Sequence, residues 1–209
     1  NMSTIAGIYR IEKKKPLKEE LNTMMDALHH WDADCRDQQI AEPVGFGNLL
    51  LYNTPESRQE KMPYRDPVTG IMITADARID NRIDLVEKFS RQNSDQSIPD
   101  SQLILEVYKK IGIHCAEHLV GAFAFAIWDP IKEYLYCARD HMGFKPFYWF
   151  ENRKVFLFST EIKGILSHSE VARTINEKFI ADALATLRSN KPRTFYEKIY
   201  RLPPAYWMT

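Results

Sequence analysis

The side chains that could bind a metal or act as thiol nucleophiles are few and far apart. The three cysteines stand at Cys35, Cys115 and Cys137, and no two of them form a CxxC pair. Structural zinc sites usually take cysteines from such close pairs, so we predict no metal site. An odd number of widely separated cysteines also argues against a disulfide framework and favours a protein of the reducing cytosol.

The balance of charge excludes other function classes. Lys plus Arg and Asp plus Glu each number 28 among 209 residues, so no overall field favours nucleic acid or an anionic membrane. The basic run Lys13–Lys15 stands beside acidic residues and is interpreted as a solvated turn. The sequence has no apolar run near 18 residues and no charged-then-apolar leader, so we expect a cytoplasmic protein without a membrane span or signal peptide.

Gly121–Asp129 is the most informative of the segments that must form the fold. It alternates as a strand does, with Phe123, Phe125 and Ile127 on one face and small or apolar residues on the other. Because both faces are apolar, the strand must be covered on both sides, by helices or by a second sheet. The alanine-rich face suits close approach of that second layer.

The remaining patterns predict further strands and helices. Strands are expected over 4–11, 45–52, 71–75, 134–137, 147–150 and 155–159, and a strand-like end over 205–209. Helices are expected over 17–29, 81–89, from 100 or 101 to 111, 161–166 and 176–187. Segment 31–38 is interpreted as a helix end and loop, 54–64 as an exposed loop and 91–99 as irregular. This order favours an α+β, four-layer αββα sandwich of two antiparallel sheets, with a three-layer α/β sheet as the alternative.

Five segments, in order, resemble the amidotransferase domain of glutamine-dependent asparagine synthetases. The matching stretches are Gly121–Asp129, Ala138–Asp140, Gly143–Tyr148, Phe158–Lys163 and Arg193–Pro204. The first stretch resembles the family pattern GMFAFAIWD, and the second and third together resemble ARDRxGxKPLYY. The last two resemble FASEIK and RTLFxGIxRLPPG. The resemblance covers residues 1–209 as one domain and implies the N-terminal-nucleophile hydrolase sandwich. It also implies a C-terminal, ATP-dependent synthetase domain that is absent from this chain.

Within the second pattern, the matching residues are interpreted as structural. Arg139 and Asp140 are expected to order a loop, and Gly143 to supply a backbone angle that other residues resist.

The resemblance places Ser3 where the family has its nucleophile, an N-terminal cysteine whose own α-amine serves as the base. Other members of the superfamily use serine or threonine, and removal of Met2 would expose Ser3. In this chain Asn1 and Met2 block that amine. The alternative is that Ser3 is simply the residue at the start of a strand.

The other family groups that bind glutamine are replaced. The Asn-Gly-Glu triplet that forms the oxyanion hole corresponds to Asp76, Ala77 and Arg78, and an ionised Asp76 is only an acceptor. The arginine that clasps the α-carboxylate falls within 48–51, which contains leucines, and the RGPD segment maps onto 31–34 without its arginine. Asp100 alone matches a ligand-binding acid, with a helix N-cap as the alternative role.

These replacements imply a degenerate glutaminase domain, as in β-lactam synthetases and lasso-peptide cyclases, which need no ammonia. On this hypothesis the domain needs no cofactor, ATP and Mg belong to the missing synthetase domain, and that domain is the partner. A homodimer stays open. The alternatives are an amidohydrolase that uses Ser3, an active glutamine-hydrolysing domain, and a stand-alone binding module. An SGGxDS-type pyrophosphate-binding loop further along the polypeptide would separate the first hypothesis from the last.

Overall fold

A computed structural model describes residues 3–12, 18–30, 32–52, 56–89, 98–185 and 192–209. The interpretations given above for Lys13–Lys15 and for Trp31 lie outside the described residues, as do those for 53–55, 90–97 and 186–191. Within the described part of the chain, no helix has the length and apolar character needed to cross a bilayer.

The chain forms eleven strands and five α-helices in its described part. The strands are β1 (Thr4–Arg10), β2 (Cys35–Ala41), β3 (Val44–Leu50), β4 (Tyr64–Arg65), β5 (Met72–Ile79), β6 (Gly121–Asp129), β7 (Tyr134–Arg139), β8 (Tyr148–Glu151), β9 (Val155–Ser159), β10 (Ile199–Arg201) and β11 (Trp207–Met208). The helices are α1 (Lys18–Asp26), α2 (Arg82–Phe89), α3 (Asp100–Ile111), α4 (Ile162–Leu166) and α5 (Glu177–Leu184). Short 3-10 turns cover Glu56–Gln59 and Gly112–His118.

The strands form two antiparallel sheets. The first has the order β10-β8-β9-β1-β3-β2, and the second has the order β11-β7-β6-β5-β4. The apolar residues divide into three cores, which separate four layers. Helices α2 and α3 cover the second sheet, the two sheets face each other, and α1 and α4 cover the first sheet. The predicted αββα sandwich is therefore confirmed.

Strand β6 explains the layering, since its two faces belong to different cores. Phe123, Phe125 and Ile127 are fully buried against the helices α2 and α3. Ala124 and Ala126 lie on the opposite face, in the core between the sheets. Their small side chains let the two sheets approach, as the sequence predicted.

The structure corrects several element boundaries. The segment 31–38 is not a helix end and loop in its described part, because β2 begins at Cys35. Its sequence CRDQQIA has little apolar alternation, since β2 is an edge strand with mostly part-exposed side chains. The strand expected over 71–75 continues to Ile79, and the one expected over 134–137 continues to Arg139.

Candidate functional site

A cavity of about 210 Å³ opens where the two sheets meet the start of α3. Strands β3 and β5, the start of α3 and the loop between β7 and β8 all contribute to its wall. Its lining residues are Ser3, Leu50, Leu51, Ser57, Glu60, Ala75, Asp76, Ala77, Arg78, Asp100, Ala122 and Lys145. The structure thus brings together Ser3, Asp76, Ala77 and Asp100, the four residues singled out from the sequence as site residues.

The alternation of β5 aims Asp76 into the space between the sheets. Thr74, two residues earlier on the same face, donates a hydrogen bond to the carbonyl of Gly47 in the first sheet at 3.3 Å. Asn48 Nδ2 in turn donates to Thr74 Oγ1 at 3.3 Å and to the carbonyl of Ala75 at 3.1 Å. This polar contact joins the two sheets beneath the cavity and fixes the position of Asp76 above it.

Ser3 lies just before β1 at the wall of the cavity and is only 5% exposed. Its Oγ accepts a hydrogen bond from the backbone N–H of Leu51 at 3.0 Å. Because Met2 precedes Ser3, its own nitrogen in this chain is a peptide amide rather than an amine. The hydroxyl therefore lies at the wall of the cavity, and in this sequence the nitrogen of Ser3 is not the free amine that the family uses as its base.

Asp76 forms an ion pair with Lys145, whose Nζ lies 2.8 Å from Asp76 Oδ1. The side chains are 4% and 12% exposed, so both charges are largely removed from water. Burial raises the pKa of the Asp76 carboxyl, while the Lys145 ammonium and the backbone N–H of Ser3 act in the opposite direction. The position that the resemblance assigns to the oxyanion hole thus holds a carboxyl group paired with a lysine.

Asp100 is not the N-cap of α3, contrary to the alternative role considered from the sequence. The helix begins at Asp100 itself, and the N-cap position is Pro99, without a side-chain cap. The carboxylate of Asp100 instead accepts the backbone N–H of Ile79 at 3.1 Å and forms an ion pair with Arg82. Asp100 thus ties the start of α3 to the end of β5 at the cavity wall.

Glu60 is a second acid near Asp100 that the sequence argument missed. Its Oε1 accepts the backbone N–H of Ser101 at 3.2 Å. Burial raises the pKa of Glu60, and the neighbouring charges of Asp100 and Asp76 act in the same direction. Glu60 lies within the segment 54–64 that was interpreted as an exposed loop, and no sequence pattern indicated that it would be part-buried.

The residues at the expected carboxylate clamp give no buried cation. Leu50 and Leu51, which belong to the segment that the resemblance aligns with the family arginine, line the cavity. Arg78 reaches the rim, but its side chain is 72% exposed and its Nε lies 3.2 Å from Asp80 Oδ1. Within the segment 31–34, Asp34 accepts the backbone N–H of Tyr52 at 2.8 Å, which is a structural contact.

Gly121 allows β5 and β6 to meet closely at the cavity. Its φ is +146°, and a Cβ atom added there would lie 2.1 Å from the carbonyl oxygen of Arg78. A larger residue would push apart the two strands that carry Arg78 and Ala122.

The loop between β7 and β8 is ordered by Arg139 and Asp140, as predicted. Arg139 donates to the carbonyl oxygens of Lys145, Leu202 and Gly143 at 2.6–2.7 Å. Asp140 accepts the backbone N–H of Met142, Phe144 and Lys145 at 2.9–3.1 Å. Gly143 has a φ of +68°, which confirms the backbone angle expected of it.

His114 and His118 stand four residues apart around Cys115, a spacing that the sequence argument passed over. In the structure His114 contacts Glu117, and Cys115 lies buried beside the hydroxyl of Tyr136. Burial raises the pKa of the Cys115 thiol to about 12, so it is not a thiolate at neutral pH. Across the described residues, no three His, Cys, Asp or Glu side chains are grouped so as to hold a metal ion.

Comparison with known sequences identifies the family. The sequence profile of the glutamine amidotransferase domain matches residues 2–209. The chain belongs to this family. It is 31% identical over 96% of its length to a Methanocaldococcus jannaschii protein assigned as asparagine synthetase (glutamine-hydrolyzing) 2. It is also 31% identical over 95% of its length to asparagine synthetase (glutamine-hydrolyzing) 3 of Bacillus subtilis.

The relatives of this glutamine amidotransferase domain are much longer than the domain. The chain spans 42% of the M. jannaschii protein and 33% of the B. subtilis protein. A solved structure with a similar fold is glutamine phosphoribosylpyrophosphate amidotransferase from B. subtilis. It superposes with a TM-score of 0.59 at 13% identity, over 78% of this chain and 43% of that one. The fold is therefore that of the amidotransferases, and the domain is of the asparagine synthetase-like type.

Proposed function

We propose that this amidotransferase domain does not hydrolyse glutamine and instead supports an ATP-dependent, amide-forming synthetase domain of the same polypeptide. The observation that carries the proposal is the Asp76–Lys145 ion pair in the cavity. It stands at the position where the resemblance requires an amide that donates to the developing oxyanion.

The first argument is electrostatic. A single donor to the oxyanion is worth roughly 10²–10³ in rate in enzymes that use one. A carboxylate at that position offers only acceptor oxygens and repels the negative charge of the tetrahedral intermediate. The Lys145 ammonium is already bound to Asp76 at 2.8 Å, so moving it to an oxyanion would leave Asp76 buried without its cation.

The second argument concerns the nucleophile and the substrate. Ser3 Oγ accepts from Leu51 N–H, and in this sequence the nitrogen of Ser3 is a peptide amide, which cannot take its proton as the free α-amine does in the family. Leu50 and Leu51 give no charge that could clasp an α-carboxylate. Nucleophile, oxyanion donor and clamp are therefore replaced together.

An amidohydrolase that uses Ser3 on another substrate is the second candidate. The observation in its favour is that Ser3 and Lys145 line one cavity. A lysine can act as the base for a serine only when its amine is neutral and within reach. The Nζ of Lys145 lies 2.8 Å from Asp76 Oδ1 and is engaged in that ion pair, which supports the first proposal over this one.

The supporting role rests on an exposed apolar surface, which we call the docking surface and define as Met142, Phe144, Tyr206 and Trp207. Their exposed fractions are 74%, 69%, 60% and 37%. The two segments that carry them are joined, since Arg139 N–H donates to the carbonyl of Tyr206 at 3.1 Å. An exposed apolar patch usually binds a partner. The greater length of the relatives supports a synthetase domain as that partner, with self-association as the competing occupant.

The chemistry of the parent enzyme follows from the loss of glutamine hydrolysis. A synthetase that receives no ammonia must take its amine from the substrate, as in intramolecular ring closure of a peptide. ATP and Mg would then act in the synthetase domain to adenylate the carboxylate, and this domain would need neither.

The test of inactivity is glutamine turnover by the untagged chain, together with labelling by diazo-oxo-norleucine. We expect neither ammonia release nor labelling, while an active family member measured alongside gives both. Turnover comparable to that of the active member would overturn the proposal.

The test of the supporting role is expression of the full polypeptide with and without residues 1–209. We expect the shortened protein to be less soluble and less active in ATP-dependent amide formation. Equal solubility and equal activity would contradict the supporting role, whatever the result for glutamine.

A further inference from the structure

Lys145 belongs to a loop that has two different sides. Its backbone runs over the buried residues Arg139 and Asp140, and its Nζ reaches Asp76 in the cavity. Met142 and Phe144 of the same loop point their apolar side chains to solvent. The loop therefore connects the cavity to the docking surface.

The inner side of this loop has only one contact with β5 that involves full charges. Arg139 donates to Lys145 and Gly143 within the hairpin, and Phe144 N–H donates to Asp140, so these bonds hold the shape of the loop, while a third bond from Arg139 reaches Leu202 outside it. The Asp76–Lys145 pair instead joins the loop to a different strand, across the mouth of the cavity. Without it, the link between the loop and β5 would be lost, and the loop would open more readily, which breaks the hydrogen bonds of Phe144 and Lys145 N–H to Asp140.

The outer side of the loop is continuous with the second half of the docking surface. Ala205 N–H donates to the carbonyl of Asp140 at 3.0 Å, and a Cβ atom on Gly143 would lie 2.7 Å from Pro204. A displacement of the loop would therefore also displace the segment that carries Tyr206.

We propose that Asp76 is a positioning residue: its ion pair with Lys145 uses the former oxyanion position to anchor the loop over residues 140–147 and so to hold the docking surface in place. The inference rests on the proposed function for the identity of the docked partner, but not for the anchoring itself.

The energetics favour a role in position over a role in global stability. Burial raises the pKa of Asp76, which means that the cost of removing its charge from water outweighs the attraction of Lys145. Such buried pairs contribute little net stability, and some fix one arrangement of the chain among several. A loop that must present an apolar surface to one partner needs that kind of constraint.

The test measures hydrogen exchange at the backbone N–H groups of Phe144 and Lys145 in the 209-residue chain. In Asp76→Asn we expect both to exchange at least about tenfold faster, while the melting temperature changes by less than about 3 °C. The matched control is Asp66→Asn, which removes a similar buried carboxylate, 2.7 Å from Lys109, on the far side of the second sheet. That change should lower the melting temperature and leave the exchange of the loop unaltered.

A second variant separates anchoring from the cost of a buried charge. Lys145→Met leaves Asp76 without its cation and should lower the melting temperature, and the double change Asp76→Asn/Lys145→Met should restore it. Exchange of the loop should stay fast in both. Unchanged exchange in Asp76→Asn and in the double variant would overturn the anchoring role.

Measurement on the full-length polypeptide distinguishes this inference from the proposed function. If the synthetase domain covers the docking surface, the Phe144 N–H of the wild type should exchange more slowly in the full-length polypeptide than in the 209-residue chain. Asp76→Asn should lose at least half of this added protection, expressed as free energy of exchange. Absence of any gain in the wild type would contradict the proposed partner and leave the anchoring result intact. A full gain in Asp76→Asn would overturn the positioning role.

Discussion

Asp66 and Asp76 lie on the same stretch of chain, one just before β5 and the other within it. Each is almost completely buried, at 5% and 3% exposure, and each pairs with one lysine. The distance from Asp66 to Lys109 Nζ is 2.7 Å, and that from Asp76 to Lys145 Nζ is 2.8 Å. The two residues are thus alike in solvent exposure and in partner, although the Asp76 carboxyl lies deeper within the protein than that of Asp66.

Their pKa values nevertheless move in opposite directions. Burial alone would raise the pKa of Asp66, but the hydrogen bond from Lys109 and those from Thr69 and Val68 N–H outweigh it and lower the pKa to about 2. At Asp76 burial prevails and raises the pKa. At Asp76 a lysine and the backbone N–H of Ser3 do not offset the burial, whereas at Asp66 a lysine and two backbone N–H groups of a turn do.

The sign of the pH effect follows from these directions. Asp66 has a folded pKa below its ordinary value of 3.8, so its contribution is present above that value and is lost as the pH falls towards about 2. Asp76 has a raised folded pKa, so its ionisation costs stability once the pH rises through that value. Lowering the pH therefore removes the stabilising contribution of Asp66 and removes the destabilising cost of the Asp76 charge.

The largest expected effect on stability comes from a change in the core beneath β5 and α3, the elements next to both sites. Phe125 is fully buried, opposite Ala75 of β5 and in the core that α3 shares. Phe125→Ala should lower the free energy of unfolding by roughly 3–5 kcal/mol, measured by denaturant titration. The control, Phe144→Ala on the exposed loop, should change it by less than about 0.5 kcal/mol. A thermal midpoint shifted by less than a degree in Phe125→Ala would mean that β6 is not central.

The next largest effect is a difference between the two lysines in how much their removal lowers the free energy of unfolding. Lys145→Met leaves Asp76 as a buried acid without a cation and should cost about 2–4 kcal/mol at neutral pH. Lys109→Met leaves Asp66 with its two backbone donors and should cost only about 1 kcal/mol. The two free energies of unfolding are measured under the same conditions. Equal losses would show that the backbone donors do not explain the different pKa values.

A smaller effect should reveal the pH dependence of the first site. Asp66→Asn should lose about 1–2 kcal/mol at neutral pH, allowing for solvent screening. The difference from the wild type should shrink as the pH falls from about 4 to about 2, because Asp66 becomes protonated there. Thermal melts across this range test it, and a difference that stays constant down to pH 2 would contradict the lowered pKa.

The smallest effect on stability is expected at the second site. Asp76→Asn removes the cost of a buried charge, which stabilises the fold, and also removes the attraction of Lys145, which destabilises it. The two contributions nearly cancel, to within about 1 kcal/mol. A drop above about 3 kcal/mol at neutral pH would show that the ion pair stabilises the fold globally.

The sequence predicted most of the fold because its apolar patterns are strong. The alternation of Phe123, Phe125 and Ile127 in β6 indicated a strand covered on both sides, and the structure has it so. Strand β2 was missed because an edge strand that is open to solvent carries no such pattern. Short strands such as β4 and β10 depend on their neighbours, not on their own residues.

The candidate site was predictable only in part. Ser3, Asp76 and Asp100 were found through their positions in a resemblance, and they do line one cavity. Glu60 and the role of Lys145 could not be predicted, since each reaches the cavity by a long-range contact from a loop. The N-cap alternative for Asp100 was wrong, because its carboxylate accepts from Ile79 of β5 and not from its own helix.

The segment from Ile199 to Met208 takes part in both sheets. It pairs with β8 of the first sheet as β10 and with β7 of the second as β11, and Leu202 N–H donates to the carbonyl of Phe147 between these pairings. Tension along this segment would load the two sheets together and would be resisted by strand pairing in each of them. Because the segment is paired in both sheets, a force applied to it by an attached polypeptide would act on both sheets at the same time.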